Sequence, residues 1–164
     1  MKFFLDIDGV MVHANPHKSV EFDEDGFYKF NSIAVETLNS VIHDNDEDEL
    51  ILSTSHRFRF SVIEWQKIFN SRGVFTKNIS ILNLPLQNRL TRKTEIINWI
   101  SERNLNSDDI VIIDDDKSLN DLPAYLKRRL VLTNPYVGLN DSSDLNKVLN
   151  RKSLNGNKKN IQKI

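Results

Sequence analysis

The chain of 164 residues has the size of one domain with a hydrophobic core of its own, and its 39% hydrophobic and 27% charged residues suit a globular protein. The absence of cysteine excludes disulfides, thiolate zinc sites and a cysteine nucleophile, and it fits a reducing compartment. The start reaches a carboxylate at Asp6 after three apolar residues, and no segment approaches the roughly 20 apolar residues of a membrane span, so a cytoplasmic protein is expected.

The net charge of −1 is unevenly spread. Residues 151–164 carry five basic side chains (Arg151, Lys152, Lys158, Lys159 and Lys163) and no acidic one, leaving −6 on the 150 residues before them. That last stretch is Asn/Lys-rich and has no hydrophobic period. It predicts a disordered basic tail behind a single domain of residues 1–150.

Phe3-Phe4-Leu5 reads as the first strand. Val20-Glu21-Phe22 and Phe27-Tyr28-Lys29-Phe30 flank the acidic turn Asp23–Gly26 and predict a β-hairpin placed to overhang that strand's end. Residues 32–42 set Ile33, Leu38, Val41 and Ile42 at helical spacing behind Ser32, a predicted N-cap. Leu50-Ile51-Leu52 is the second strand. From about Phe60 to Arg72 the apolar residues, Trp65 among them, suit a helix stopped by Gly73. Ile79–Leu82 is the third strand, ended by Pro85, and Thr91 precedes a helix carrying Ile96, Ile97, Trp99 and Ile100. Ile110–Ile113 is the most β-branched run and reads as a fully buried strand. Leu130–Leu132 is a fifth strand, and Ser143 is placed to cap a last helix through Leu149. The alternation predicts an α/β fold, a three-layer Rossmann-like parallel sheet flanked by helices.

Ligands of open α/β sheets bind beyond the carboxyl ends of the strands. Asp6-Ile7-Asp8-Gly9-Val10 follows the first strand, Ser53-Thr54-Ser55-His56-Arg57 the second and Asp114-Asp115-Asp116 the fourth, while Arg92 and Lys93 open the helix before that fourth strand. Asp6 and Asp8, two apart on extended chain, share a face and need a cation or proton between them. Asp114 and Asp115 alongside would complete an all-oxygen site, for which Mg²⁺ is the natural occupant when no thiolate is available. Each piece also has a plainer reading. An Asp-x-Asp can be a turn, Asp114–Asp116 a helix cap, Ser53–Ser55 a hydroxyl-rich turn, and Arg92 and Lys93 a solvated face. Their occurrence together, each at a strand end or helix start, favours a site.

This set of motifs resembles the haloacid dehalogenase-like (HAD) superfamily over residues 2–116. The runs Leu52–Arg57 and Arg92–Ile100, with the late Gly138-Leu139, look like the HAD domain of "Swiss army knife" RNA repair proteins, which usually has Trp where this chain has His56. The resemblance implies a HAD-like phosphatase in which Asp6 is the nucleophile and forms an aspartyl-phosphate. Asp8 would be the acid and base, and its presence favours phosphoryl chemistry over dehalogenation. It further implies that Thr54, or Ser53 in a register shifted by one, holds a phosphoryl oxygen. Arg92, or alternatively Lys93, would offset its charge. Asp6, the backbone carbonyl of Asp8, Asp114 and Asp115 would bind Mg²⁺.

Only about 23 residues separate Gly9 from the helix at Ser32, too few for a cap domain, so the cap is minimal, a hairpin flap. An open site admits bulky substrates. The basic tail, Arg57, Arg59 and the resemblance lean toward a phosphorylated polynucleotide end, whereas the −6 of the body opposes long-range attraction to phosphates. The competing readings are a phosphoprotein phosphatase and a non-catalytic phosphate- and metal-binding module. No membrane and no obligate protein partner is expected. The four histidines stand at no metal-ligand spacing. His13, His17 and His43 are expected at the surface, and His56, although near Thr54, in a structural or solvent-facing role. Trp65 and Trp99 are expected in the core.

Overall fold

The structure, a computed structural model, describes residues 1–83 and 90–151. Pro85 and the tail from Lys152 onward lie outside the described residues. Among the described residues five strands form one parallel sheet: β1 (Lys2–Leu5), β2 (Glu49–Leu52), β3 (Asn78–Ile81), β4 (Ile110–Asp114) and β5 (Leu130–Leu132). They lie in the order β3-β2-β1-β4-β5. Five α-helices connect or follow them: α1 (Ser32–Asn39), α2 (Val62–Ser71), α3 (Arg92–Glu102), α4 (Ala124–Lys127) and α5 (Ser142–Asn150). None is long and apolar enough to cross a membrane.

Both sheet faces are covered, and strand alternation sorts the core into two halves. Phe3, Leu5, Leu50, Leu52, Val111 and Ile113 face α1, α2 and α5 through Leu38, Trp65, Phe69 and Leu145. Phe4, Ile51, Ile110 and Ile112 face α3 and α4 through Ile96, Trp99, Ile100 and Leu126. All five residues of β4 are buried, as its β-branched run predicts. Trp65 and Trp99 are core residues.

The helix starts follow from local capping chemistry, with two shifts from expectation. Asn31, not Ser32, caps α1 by accepting the Ile33 N–H, and Asp141, not Ser143, caps α5. In each case the residue that still has extended backbone wins, because a cap must bond forward to amides of the first turn. Helix α1 ends at Asn39, short of the expected Ile42. Ser61 and Glu64 form a reciprocal capping box on α2. Gly73 follows α2 at φ +83°, the left-handed stop its position predicts.

The expected hairpin is present but shorter than two full strands. It is reduced to one antiparallel bridge, Phe22 with Tyr28, around the turn at Asp23–Gly26. Two backbone bonds cross it, from the Asp23 amide to the Phe27 carbonyl and from the Lys29 amide to the Glu21 carbonyl, both at 2.9 Å, and side-chain bonds add to them. The Arg72 guanidinium, 2% exposed, donates to the Tyr28 carbonyl at 2.7 Å, the Phe27 carbonyl at 3.1 Å and both Asp25 carboxylate oxygens at 2.7 and 2.8 Å. The Arg72 bond holds the Asp25 carboxyl below its ordinary pKa. Arg72→Ala is expected to lower stability by about 2 kcal/mol, because bonds to charged groups are worth about 1.5–3 kcal/mol and the Asp25 end is partly solvated. A fall in Tm of roughly 6 °C would register it.

Candidate active site

Register sets up the site. Leu5 pairs with Leu52 on one side and Ile113 on the other, so the next residues along, Asp6, Ser53 and Asp114, emerge level at one sheet edge. The Asp6 amide donates to the Ile113 carbonyl and the Ser53 amide to the Leu5 carbonyl, both at 3.0 Å, which carries the alignment one residue past the strands.

Beyond Asp6 the chain turns tightly. The Ile7 carbonyl accepts the amides of Val10, Met11 and Val12. Gly9 has φ +76°, and a Cβ there would lie 2.1 Å from Asp115 Oδ2. Only glycine lets this loop and the β4 end approach so closely. A second glycine closes the other side. Gly138, at φ +82°, sits where a Cβ would come within 2.6 Å of the Val10 carbonyl oxygen, which accepts the Leu139 amide at 2.8 Å. Thr133 Oγ1 donates to the Gly9 carbonyl at 2.7 Å.

Asp6, 6% exposed, accepts the Ile7 amide on Oδ1 at 2.8 Å. Asp114 is fully buried. Its Oδ1 accepts the Asp116 amide at 3.0 Å, and its Oδ2 meets Arg92 Nη1 at 3.1 Å. The same Nη1 lies 3.6 Å from Asp6 Oδ1. Lys93 makes no ion pair with these carboxylates among the described residues. Arg92 is therefore the basic residue that the start of α3 delivers to the site. Asp116 accepts the Ser118 amide and caps a 3₁₀ turn, Lys117–Asp121, so it is a cap. Ser53 and Thr54 are both fully buried. Thr54 Oγ1 accepts the His56 amide at 3.3 Å, whereas Ser53 Oγ has no hydrogen-bond partner among the described residues.

Asp6, Asp114 and Asp115 each offer an oxygen, and these three lie within 4.8 Å of one another. Burial, followed by the charge of Asp6, pushes Asp114 up to about 7 and Asp115 up to about 6. For Arg92, burial opposes the charge, but Asp114, Asp6, Glu95 and Asp116 outweigh it and raise the guanidinium's pKa. Three crowded, partly desolvated carboxylates with one arginine favour an added hard cation, and the all-oxygen donor set fits Mg²⁺. The Asp8 carboxylate is not part of this trio. It bonds His56 instead, Oδ2 to Nε2 at 2.7 Å, which leaves its backbone carbonyl for any metal role.

Two residues depart from expectation. Arg57, counted with Arg59 and the basic tail in the lean toward a polynucleotide end, is 7% exposed and spends its guanidinium on protein groups: the Leu82 carbonyl at 2.8 Å, the Thr54 carbonyl at 3.1 Å and Glu95 at 2.6 Å. Its neighbour Arg59 is exposed, stacked over Phe27 and Phe60. His56, expected in a structural or solvent-facing role, reaches Asp8. Its place two residues beyond Thr54, in a loop at a strand's carboxyl end, was the available signal. Sequence alone does not say which residue of the neighbouring loop that imidazole meets.

With this geometry, comparison with known proteins is specific. The pattern of the HAD domain in Swiss Army Knife RNA repair proteins matches residues 3–143. The chain belongs to this HAD family. Two solved structures resemble the HAD domain at low identity. One is a hypothetical protein from Xanthomonas campestris, 15% identical, with TM-score 0.43 over 90% of this chain and 79% of that one. The other is the cobalt-bound deoxy-D-mannose-octulosonate 8-phosphate phosphatase of Haemophilus influenzae, 14% identical, with TM-score 0.42 over 90% of this chain and 84% of that one. No curated protein matches the sequence.

Proposed function

We propose that this HAD domain is a Mg²⁺-dependent phosphomonoester hydrolase that works through an aspartyl-phosphate on Asp6, with phosphorylated polynucleotide ends as its substrate class. The observation that carries the reading is the placement of Asp6: a buried carboxylate at the end of β1, 3.6 Å from Arg92 and grouped with Asp114 and Asp115. Burial and the nearby positive charge support a role for this carboxylate as a nucleophile toward phosphorus.

An oxygen of Asp6 attacks phosphorus while the bond to the leaving oxygen breaks. That oxygen takes the departing electron pair and a proton from Asp8. Water then attacks the phosphorus of the aspartyl-phosphate, gives its proton to the Asp8 carboxylate, and releases phosphate and the free Asp6 carboxylate. Arg92 balances charge on the phosphoryl oxygens, and the hydroxyl of Thr54, with the unpartnered Ser53 Oγ beside it, donates to one of them. Mg²⁺ bound by Asp6, Asp114 and Asp115, with the backbone carbonyl of Asp8, would supply electrostatic relief as charge shifts between oxygens. The polynucleotide assignment rests on the family's RNA-repair proteins, on a site covered by a short hairpin and not a cap domain, and on the exposed Arg59.

The deciding assay measures phosphate release from an aryl phosphate, from 3′- and 5′-phosphorylated oligonucleotides and from a phosphopeptide, each with Mg²⁺ and with chelator. Mg²⁺-dependent release, fastest on an oligonucleotide, is expected. Preference for the phosphopeptide would replace the substrate class, and no release from folded, Mg²⁺-binding protein would leave a binding module.

The carboxylate pKa values add a pH signature. Asp114 and Asp115 titrate higher in the folded than in the unfolded chain, whose reference is 3.8. The native state therefore holds extra protons between about pH 4 and 7, and metal-free stability falls as pH rises through that window. Mg²⁺ binds the ionised form, so the Tm increase it produces should grow from pH 5 to pH 8. Thermal melts at both pH values, with Mg²⁺ and with chelator, check this; an increase that shrinks with pH would contradict it.

A further inference from the structure

We propose that His56 is a positioning residue for Asp8, donating its Nε2–H to Asp8 Oδ2 so that the carboxyl group presents its other oxygen, Oδ1, to the leaving group. The inference deepens the phosphatase reading and rests on it. Asp8 needs such a partner. It stands in the loop past β1, its side chain is 41% exposed, and it lies outside the group of Asp6, Asp114 and Asp115, the first two of which Arg92 pairs with. An exposed carboxylate samples several rotamers, and proton transfer requires one of them.

The imidazole is itself confined by two aromatic rings. Its side chain is only 18% exposed, and the Phe27 and Tyr28 rings meet it edge-on at 5.6 and 5.4 Å between centroids. Its backbone amide donates to Thr54 Oγ1, tying it to the loop that carries the phosphate-site hydroxyls. The two aromatic rings come from the hairpin that Arg72 fastens down through the Phe27 and Tyr28 carbonyls. The hairpin therefore contributes to the site by holding the ring that holds Asp8.

One tautomer serves both chemical steps. With the proton on Nε2, His56 donates to Oδ2 whether Oδ1 carries a proton, as the acid of the first step, or lacks one, as the base of the second. The proton that moves is always on the oxygen His56 does not touch.

The test separates leaving-group chemistry from binding. His56→Phe keeps a flat ring against Phe27 and Tyr28 but removes the N–H, and His56→Gln keeps a donor of similar reach. Folding of both is verified by thermal melts. The kcat and KM of wild type and both variants are then measured in Mg²⁺ with p-nitrophenyl phosphate, whose leaving group needs little protonation, and with an alkyl phosphate, whose leaving group needs it. For His56→Phe, kcat/KM, which reports phosphoryl transfer to Asp6 and leaving-group departure but not the later hydrolysis shared by both esters, should fall about tenfold on the alkyl ester, the worth of one hydrogen bond, and by less than about twofold on the nitrophenyl ester. His56→Gln should recover most of the loss. Equal losses of kcat/KM on the two esters, or no loss on the alkyl ester, would overturn the positioning role while leaving the phosphatase reading intact. Failure of wild type to hydrolyse either ester would overturn both.

Discussion

Asp6→Asn should abolish phosphate release, by at least about ten-thousandfold, in a protein that folds as well as wild type. Asparagine has the shape of aspartate and can still accept the Ile7 amide that Asp6 Oδ1 accepts at 2.8 Å. The local backbone therefore has no reason to move. What it lacks is an anionic oxygen able to bond to phosphorus. Stability should stay level or rise without metal, because Asp6 is one of the charges that push Asp114 and Asp115 up. Loss of the Arg92 contact at 3.6 Å works the other way, and Asp114, at 3.1 Å, remains to hold that guanidinium. The Mg²⁺-induced increase in Tm should shrink, since one of the three grouped carboxylates is gone. Turnover with a colorimetric phosphate assay and melts with and without Mg²⁺ read all three effects. Retention of more than about 1% of wild-type turnover would remove Asp6 from the nucleophile's role.

Arg57→Ala should cost about 3–5 kcal/mol. The guanidinium joins three parts of the fold: the loop after β2 through the Thr54 carbonyl, the end of β3 through the Leu82 carbonyl, and α3 through Glu95. Its own carbonyl accepts the Trp65 indole N–H at 2.9 Å. Burial lowers the Arg57 pKa and Glu95 opposes that effect, as expected for a charge removed from water and then paired. Truncation leaves Glu95, 16% exposed, without its partner and leaves carbonyls unbonded. Arg57→Lys should recover only part, since an ammonium cannot reach three directions in one plane. Urea unfolding measures the cost, and the fall in Tm should be about 10 °C or more. A cost below about 1 kcal/mol would mean that Arg57 faces substrate and not the fold.

Much of this architecture was legible beforehand. The strands read from Phe3–Leu5, Leu50–Leu52, Ile79–Leu82, Ile110–Ile113 and Leu130–Leu132 lie within a residue of β1 to β5 at each end. Short apolar runs between periodic helices leave few alternatives. Errors fell where neighbouring polar residues compete for one job, as Asn31 with Ser32 and Asp141 with Ser143 at helix caps. The hairpin was recognised from its acidic turn, but its length was overestimated. Its hold depends on Arg72, more than forty residues away, as well as on its own short ladder.

The candidate site divides in the same way. That carboxylates, hydroxyls and a basic residue gather at one sheet edge follows from residue order, because a parallel α/β sheet puts every strand's carboxyl end on the same side. The choice of Arg92 over Lys93, the burial of Arg57 and the meeting of His56 with Asp8 do not follow from order. The sequence by itself determined which chemical groups are present, the alternation that makes the sheet parallel, and the glycines at 9 and 138 that close approach requires. The tertiary structure decided the register that sets Asp6, Ser53 and Asp114 level and the partner each side chain meets. Periodicity and capping are settled within a few residues. A distance of 2.7 Å between Asp8 and His56, by contrast, depends on two loops placed by the packing of the whole sheet.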